Sequence, residues 1–167
     1  MALLLLVSLI VSCKDDDDMD PVDEPNFITA SGASVTLTGV WESGCVTDRD
    51  QNLSEILTFS GDEIDINIRF FDSESCSNEV GTQLVTIEYR VGGTFQAVLD
   101  GQTVLANEIS GIFTDDDGDS ENFRQAIYVD DSGTELMMYH ARFGDDGGDL
   151  NADGFPTDII PIPISRR

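Results

Sequence analysis

From residue 35 onward, apolar and polar side chains alternate with a period of two. Ile64, Ile66, Ile68 and Phe70 interleave with Glu63, Asp65, Asn67 and Arg69, and Val85, Ile87, Tyr89 and Val91 interleave with Thr86, Glu88 and Arg90. Successive side chains of a strand point to opposite faces, so this pattern predicts strands with one buried and one wet face. Fainter stretches of the same kind at 35–41, 55–60, 94–99, 103–113, 123–129, 135–143 and 159–164 bring the predicted total to nine. None of these windows repeats at the spacing of a helix.

The connectors are rich in Gly and Asp: Ser60-Gly61-Asp62, Gly92-Gly93, Asp100-Gly101, 115–122, 130–133 and 145–155. Gly adopts positive φ without strain, and Asp bonds its own backbone, so each of these stretches predicts the end of a strand. Short connections favour antiparallel neighbours. The predicted fold class is therefore all-β, an antiparallel meander of about eight to nine strands that closes as a barrel or folds over as a β-sandwich. Pro161 and Pro163 lack an N–H, which predicts that the last run is an edge strand or an extended tail.

Composition bounds the function. The chain has 167 residues, the size of one ordinary domain, and 33 acidic against 8 basic side chains give a net charge of −25. Such a charge repels phosphate backbones and anionic headgroups, so no nucleic-acid partner is expected. With 40% hydrophobic residues and 9 Phe the chain still has enough apolar side chains for a core.

The amino terminus reads as an address. Residues 2–12, ALLLLVSLIVS, are an apolar run too short to span a bilayer but of the length of a signal-peptide core, so 1–12 is expected to be removed. Ile10-Val11-Ser12-Cys13 resembles the bacterial lipobox, in which a Cys is acylated with chains such as palmitate and becomes the mature N-terminus. That resemblance implies a lipoprotein held to the membrane through Cys13. Lys14 at the second mature position implies passage to the outer membrane, and Lys14-Asp15-Asp16-Asp17-Asp18 resembles the acidic surface-export signal of some Bacteroidetes lipoproteins. No Lys or Arg precedes the apolar run, which places the true start upstream or makes this sequence a fragment. Residues 13–34, with seven Asp or Glu from Asp15 to Glu24 and with Pro21 and Pro25, are too charged and broken to pack and are expected to be a tether. The folded domain is then 35–167.

Cys45 and Cys76 lie 31 positions apart in a chain whose signal sends it out of the cytoplasm, where disulfides persist. A disulfide is the economical reading, contributing roughly 3.7 kcal/mol by loop entropy. Two free thiols or a redox pair is the alternative.

Thr38-Gly39-Val40-Trp41 opens the first predicted strand, and G-x-W at that place resembles the lipocalin signature. The resemblance implies a barrel whose closed end carries Gly39 and Trp41, with the indole beneath an Arg from a late strand, here Arg142. Trp41-Glu42-Ser43-Gly44-Cys45, Leu57-Thr58-Phe59-Ser60-Gly61-Asp62 and Cys76 are also similar to a group of uncharacterised acidic marine-bacterial lipoproteins, over roughly residues 35–91. That likeness implies a fold and no activity.

Candidate chemistry is sparse. His140, the one His, shares a strand face with Leu136 and Met138, where a packed or hydrogen-bonded core residue is the ordinary reading. No G-x-S-x-G elbow and no second His are present, so neither a serine hydrolase nor a zinc site can be assembled, and no catalytic residue is assigned. With 33 carboxylates, any acid–base pair picked from the sequence is arbitrary. Phe70, Phe71, Met137, Met138 and Phe143 could line an apolar cavity or simply form core. Asp149-Leu150-Asn151-Ala152-Asp153-Gly154 fits the D-x-N-x-D-G start of a calcium loop, with the Phe155 carbonyl and Asp158 as further ligands. Ile160 stands where an EF-hand needs its Glu, so the loop resembles the helix-free calcium loops of thrombospondin or dockerin type. A bare turn of Asp and Gly remains the other reading.

The expectation is a non-enzymatic, lipid-anchored outer-membrane or surface lipoprotein whose barrel is a binding or envelope module for a small apolar ligand. The alternative is a calcium-stiffened structural or adhesive β-domain.

Overall fold

The computed structural model describes residues 25–48, 50–114, 118–141 and 149–167. In those residues the chain forms twelve strands and no helix: β1 (Asn26–Ile28), β2 (Ser34–Thr36), β3 (Gly39–Ser43), β4 (Val46–Asp48), β5 (Gln51–Ser60), β6 (Glu63–Phe71), β7 (Glu79–Leu99), β8 (Gln102–Thr114), β9 (Ser120–Asp130), β10 (Met137–His140), β11 (Asp158–Ile159) and β12 (Ile164–Arg166). Strands β3, β5, β6, β7, β8, β9, β10 and β12 each pair antiparallel with the next, and β12 returns to β3. The meander is thus a closed eight-stranded, lipocalin-like barrel and not a sandwich. Closure gives every strand of the wall two partners, which removes sheet edges.

The alternation read from the sequence sets which side chains enter the barrel. Trp41, Leu57, Ile66, Ile87, Ile109, Ile127, Met138 and Ile164 all point inward and are buried. The Asp100-Gly101 connection is a two-residue hairpin, Leu99 pairing with Gln102, with φ of 50° and 74° at its centre. Both angles are positive, as a type I′ turn requires.

Three expectations need correction. Gly92-Gly93 is not a turn: β7 runs unbroken through it, and the pair forms a bulge opposite β8 at which the register shifts between Val91 and Thr94. A bulge and a turn draw on the same freedom of Gly, so the sequence cannot tell them apart. The last run is an edge only at its start, where β7 is the one strand paired with β11 among the described residues. Pro161 and Pro163 fall between β11 and β12, and Ile164–Arg166 is the strand that closes the barrel between β10 and β3. The fold also begins earlier than residue 35: β1 lies within the segment assigned to the tether, and Phe27 is fully buried.

Phe27 plugs one end of the barrel, edge-on to Phe59 and tilted against Tyr89 at ring separations of 6.1 and 6.2 Å. The strap is fastened by Asn107, a buried side chain that mimics a strand neighbour. Its Oδ1 accepts from Ile28 N at 2.7 Å, and its Nδ2 donates to the Ile28 and Ile127 carbonyls at 2.9 and 3.0 Å. Asp131 adds a second fastening, accepting from Thr29 Oγ1, Ser31 Oγ and Ser31 N. The Ser31 and then the Thr29 hydroxyl hold its carboxyl below the usual range.

Beyond the bulge, the β7–β8 hairpin serves a second cluster. Ala126 and Tyr128 alternate with the inward Ile127 and Val129 along β9, so they face outward, where they meet Phe95, Ala97, Ala106, Tyr139 and Ile159.

Candidate ligand-binding site

The barrel is filled at the Phe27 end and open at the other. A cavity of about 420 Å³ lies there, walled by Leu53 of β5, Ile66, Ile68 and Phe70 of β6, Val85 of β7, Phe113 of β8, and Ile160 and Ile162 of the segment before β12. Asp48, Gln51 and Gln83 also line it. The volume is in the range of small-molecule sites, and so is the character of a mainly apolar wall with few polar groups.

Two of those polar groups are inside. Glu55 follows the inward phase of β5, between Leu53 and Leu57, and is 5% exposed; His140 follows Met138 on β10 and is 1% exposed. His140 Nε2 lies 2.9 Å from Glu55 Oε2, and His140 Nδ1 lies 2.6 Å from the Ala141 carbonyl. That carbonyl also accepts from Gln125 Nε2 at 2.8 Å. Burial pulls the imidazole toward neutrality, but the Glu55 charge, the Glu55 hydrogen bond and the Ala141 carbonyl together outweigh it and raise its pKa above the ordinary 6.5. Both ring nitrogens face acceptor oxygens, so the geometry is that of an imidazolium donating to the Glu55 carboxylate and to the Ala141 carbonyl. Glu55 is set in place from behind: its N–H donates to Ser43 Oγ at 2.8 Å, where β3 stops pairing with β5, and that hydroxyl donates to the Gly44 carbonyl at 3.0 Å.

With one ring nitrogen against the Glu55 carboxylate and the other against the Ala141 carbonyl, both nitrogens of His140 are committed to protein partners. Among the described residues, only Oε2 of the Glu55 carboxylate is bonded, so Oε1 keeps its lone pairs.

The other sequence candidates are distributed as follows. Cys45, after β3, and Cys76, in the β6–β7 connection, are joined in a disulfide with Cα atoms 5.8 Å apart. Gly39 and Trp41 stand at the start of β3, with Gly39 at φ 79° and the buried indole Nε1 donating to the Thr38 carbonyl at 3.2 Å. Arg142 lies outside the described residues, as do Phe143 and Cys13. Among the described residues, Arg166 of β12 reaches this signature: it pairs with Trp41, and its guanidinium lies 3.6 Å from where a Cβ on Gly39 would be. Phe70 lines the cavity, whereas Met138 is packed in the core.

The Asp-rich segment folds as a tight turn. Asn151 Oδ1 accepts from the N–H groups of Asp153 and Phe155, the Phe155 carbonyl accepts from Asn151 N, and the Arg124 guanidinium donates to the Asp153 carbonyl and covers the Phe155 ring at 5.6 Å. The oxygens of Asn151 and Phe155 are engaged by the protein's own donors. Among the described residues no group of three or more His, Cys, Asp or Glu is spaced to hold a metal ion.

No protein-family model matches the chain, and neither a curated protein nor a solved structure is significantly similar to it. The site therefore stands on its geometry. Glu55 was missed in the sequence, although it falls in phase with Leu57 and Phe59 on a predicted strand, and a charged residue in an apolar phase is the signal that could have found it.

Proposed function

We propose that this chain is a lipid-anchored protein of a bacterial cell envelope, in the outer membrane or on its surface, whose barrel holds a small apolar molecule. The observation that carries the reading is the cavity of about 420 Å³ at one end of a barrel whose other end is filled by Phe27. A barrel serving only as a structural spacer has no need of an apolar interior open at one end, because burying those side chains fully would stabilise it further. The anchor rests on the lipobox-like residues ending in Cys13. A calcium-stiffened adhesive domain has less support, because the turn at Asn151 is closed by its own hydrogen bonds.

Nile red, an apolar dye that fluoresces when it leaves water, tests the reading. The folded chain is expected to take it up at one saturable site, and Ile68→Trp, which fills the cavity, is expected to abolish the signal while leaving the melting temperature within a few degrees. Equal uptake by wild type and Ile68→Trp would place the dye elsewhere and remove the cavity's claim.

A further inference from the structure

We propose that the cavity selects an uncharged amphiphile whose inner end carries a hydrogen-bond donor, a hydroxyl or amide, and that it turns away fatty-acid carboxylates. This rests on the reading of the cavity as a binding site.

The wall sets the body of the ligand, since Leu53, Ile68, Phe70 and Phe113 offer only apolar contact. The polar end is decided by which hydrogen-bonding capacity remains. Both His140 N–H groups are spent, one on Glu55 Oε2 and the other on the Ala141 carbonyl. What is left on the pair is acceptor capacity, at Glu55 Oε1. An acceptor that gives up cavity water to a ligand and gains no partner is costly, so an end that donates is favoured over one that cannot. A carboxylate end fares worst. It brings no donor for Glu55 Oε1 and would set oxygen against oxygen there, in a chain of net charge −25. Gln51 and Gln83 can donate, but both are exposed and belong to the solvent side.

Calorimetric titration at 0.15 M salt and pH 7 with 1-decanol, its methyl ether and decanoate tests this, because the first two differ only in the donor. The alcohol is expected to bind about tenfold tighter than the ether, the size of one hydrogen bond to a charged acceptor, and decanoate is expected to bind weakest. In Glu55→Gln the side-chain amide supplies a donor of its own, and decanoate should gain about tenfold relative to the alcohol. An ether that binds as tightly as the alcohol, or a decanoate that equals it in the wild type, overturns the proposal while leaving the cavity a binding site. The wild-type comparison decides this even where Glu55→Gln does not fold. Absence of heat with all three compounds, together with absence of Nile red uptake, overturns the binding reading itself.

Discussion

Glu55 Oε2 and His140 Nε2 are 2.9 Å apart although the residues are 85 positions apart in the chain. In the barrel wall β5 and β10 are separated by β3 and β12, so the bond crosses the interior and does not run along the sheet. An ion pair so placed is costly to desolvate, and its value is felt mainly when one half is removed.

Glu55→Leu and His140→Leu are each expected to cost about 3–5 kcal/mol in denaturant unfolding, since each strands a buried polar partner. The double variant Glu55→Leu/His140→Leu is expected to be more stable than either single variant, as apolar groups of similar size replace the pair. Costs that simply add in the double variant would show that the two side chains are not coupled.

The pair also sets a pH dependence. His140 has its folded pKa raised above 6.5, so its contribution to stability is complete below that value and is lost as pH rises through the folded pKa. Net charge acts in the same direction, because the acidic surface repels itself more strongly as pH rises. The difference between wild type and His140→Gln isolates the pair. That difference in unfolding free energy is expected to be largest near pH 6 and to shrink as pH rises above it. A difference that grows with pH would reverse the assignment of an imidazolium.

Asn107→Ala is expected to release the β1 strap, because Ile28 N–H, Ile28 C=O and Ile127 C=O lose their shared partner. The cost should be about 2–4 kcal/mol, from several buried groups left unpaired. Hydrogen exchange should show Ile28 opening well before the barrel core. Protection at Ile28 unchanged in the variant would mean that Phe27 alone holds the strap.

The Asn151 turn separates calcium binding from simple folding. Asn151→Ala removes the acceptor of two backbone N–H groups and is expected to lower the melting temperature by several degrees equally in calcium and in chelator. A wild-type melting temperature raised by millimolar calcium, with the increase lost in Asp149→Ala/Asp153→Ala, would establish the calcium loop.

Acyl labelling is expected to require Cys13, because the apolar run ends there. Label retained in Cys13→Ser would refute the anchor.

What the chain itself determines is the strand inventory and the phase of each strand, because a period of two assigns every side chain to one of two faces without reference to anything distant. Ile64 to Phe70 and Val85 to Val91 could be assigned inward before any fold was known, and so could Trp41 and Met138. The Cys45–Cys76 link was also legible, since setting aside Cys13 at the end of the apolar run leaves two cysteines that can pair. Other features depended on partners far away in sequence. Phe27 sits in an acidic, proline-broken segment and earns its burial only because Phe59, Tyr89 and Asn107 converge at one end of the barrel. Ile164–Arg166 follows two prolines that argue against a central strand, yet the gap between β10 and β3 could be closed by those three residues. Glu55 carried a readable phase and one of 33 carboxylates' worth of ambiguity, and only barrel closure brought it to His140. Local alternation says which way a side chain points, whereas what it meets there is set by the closure of the whole sheet.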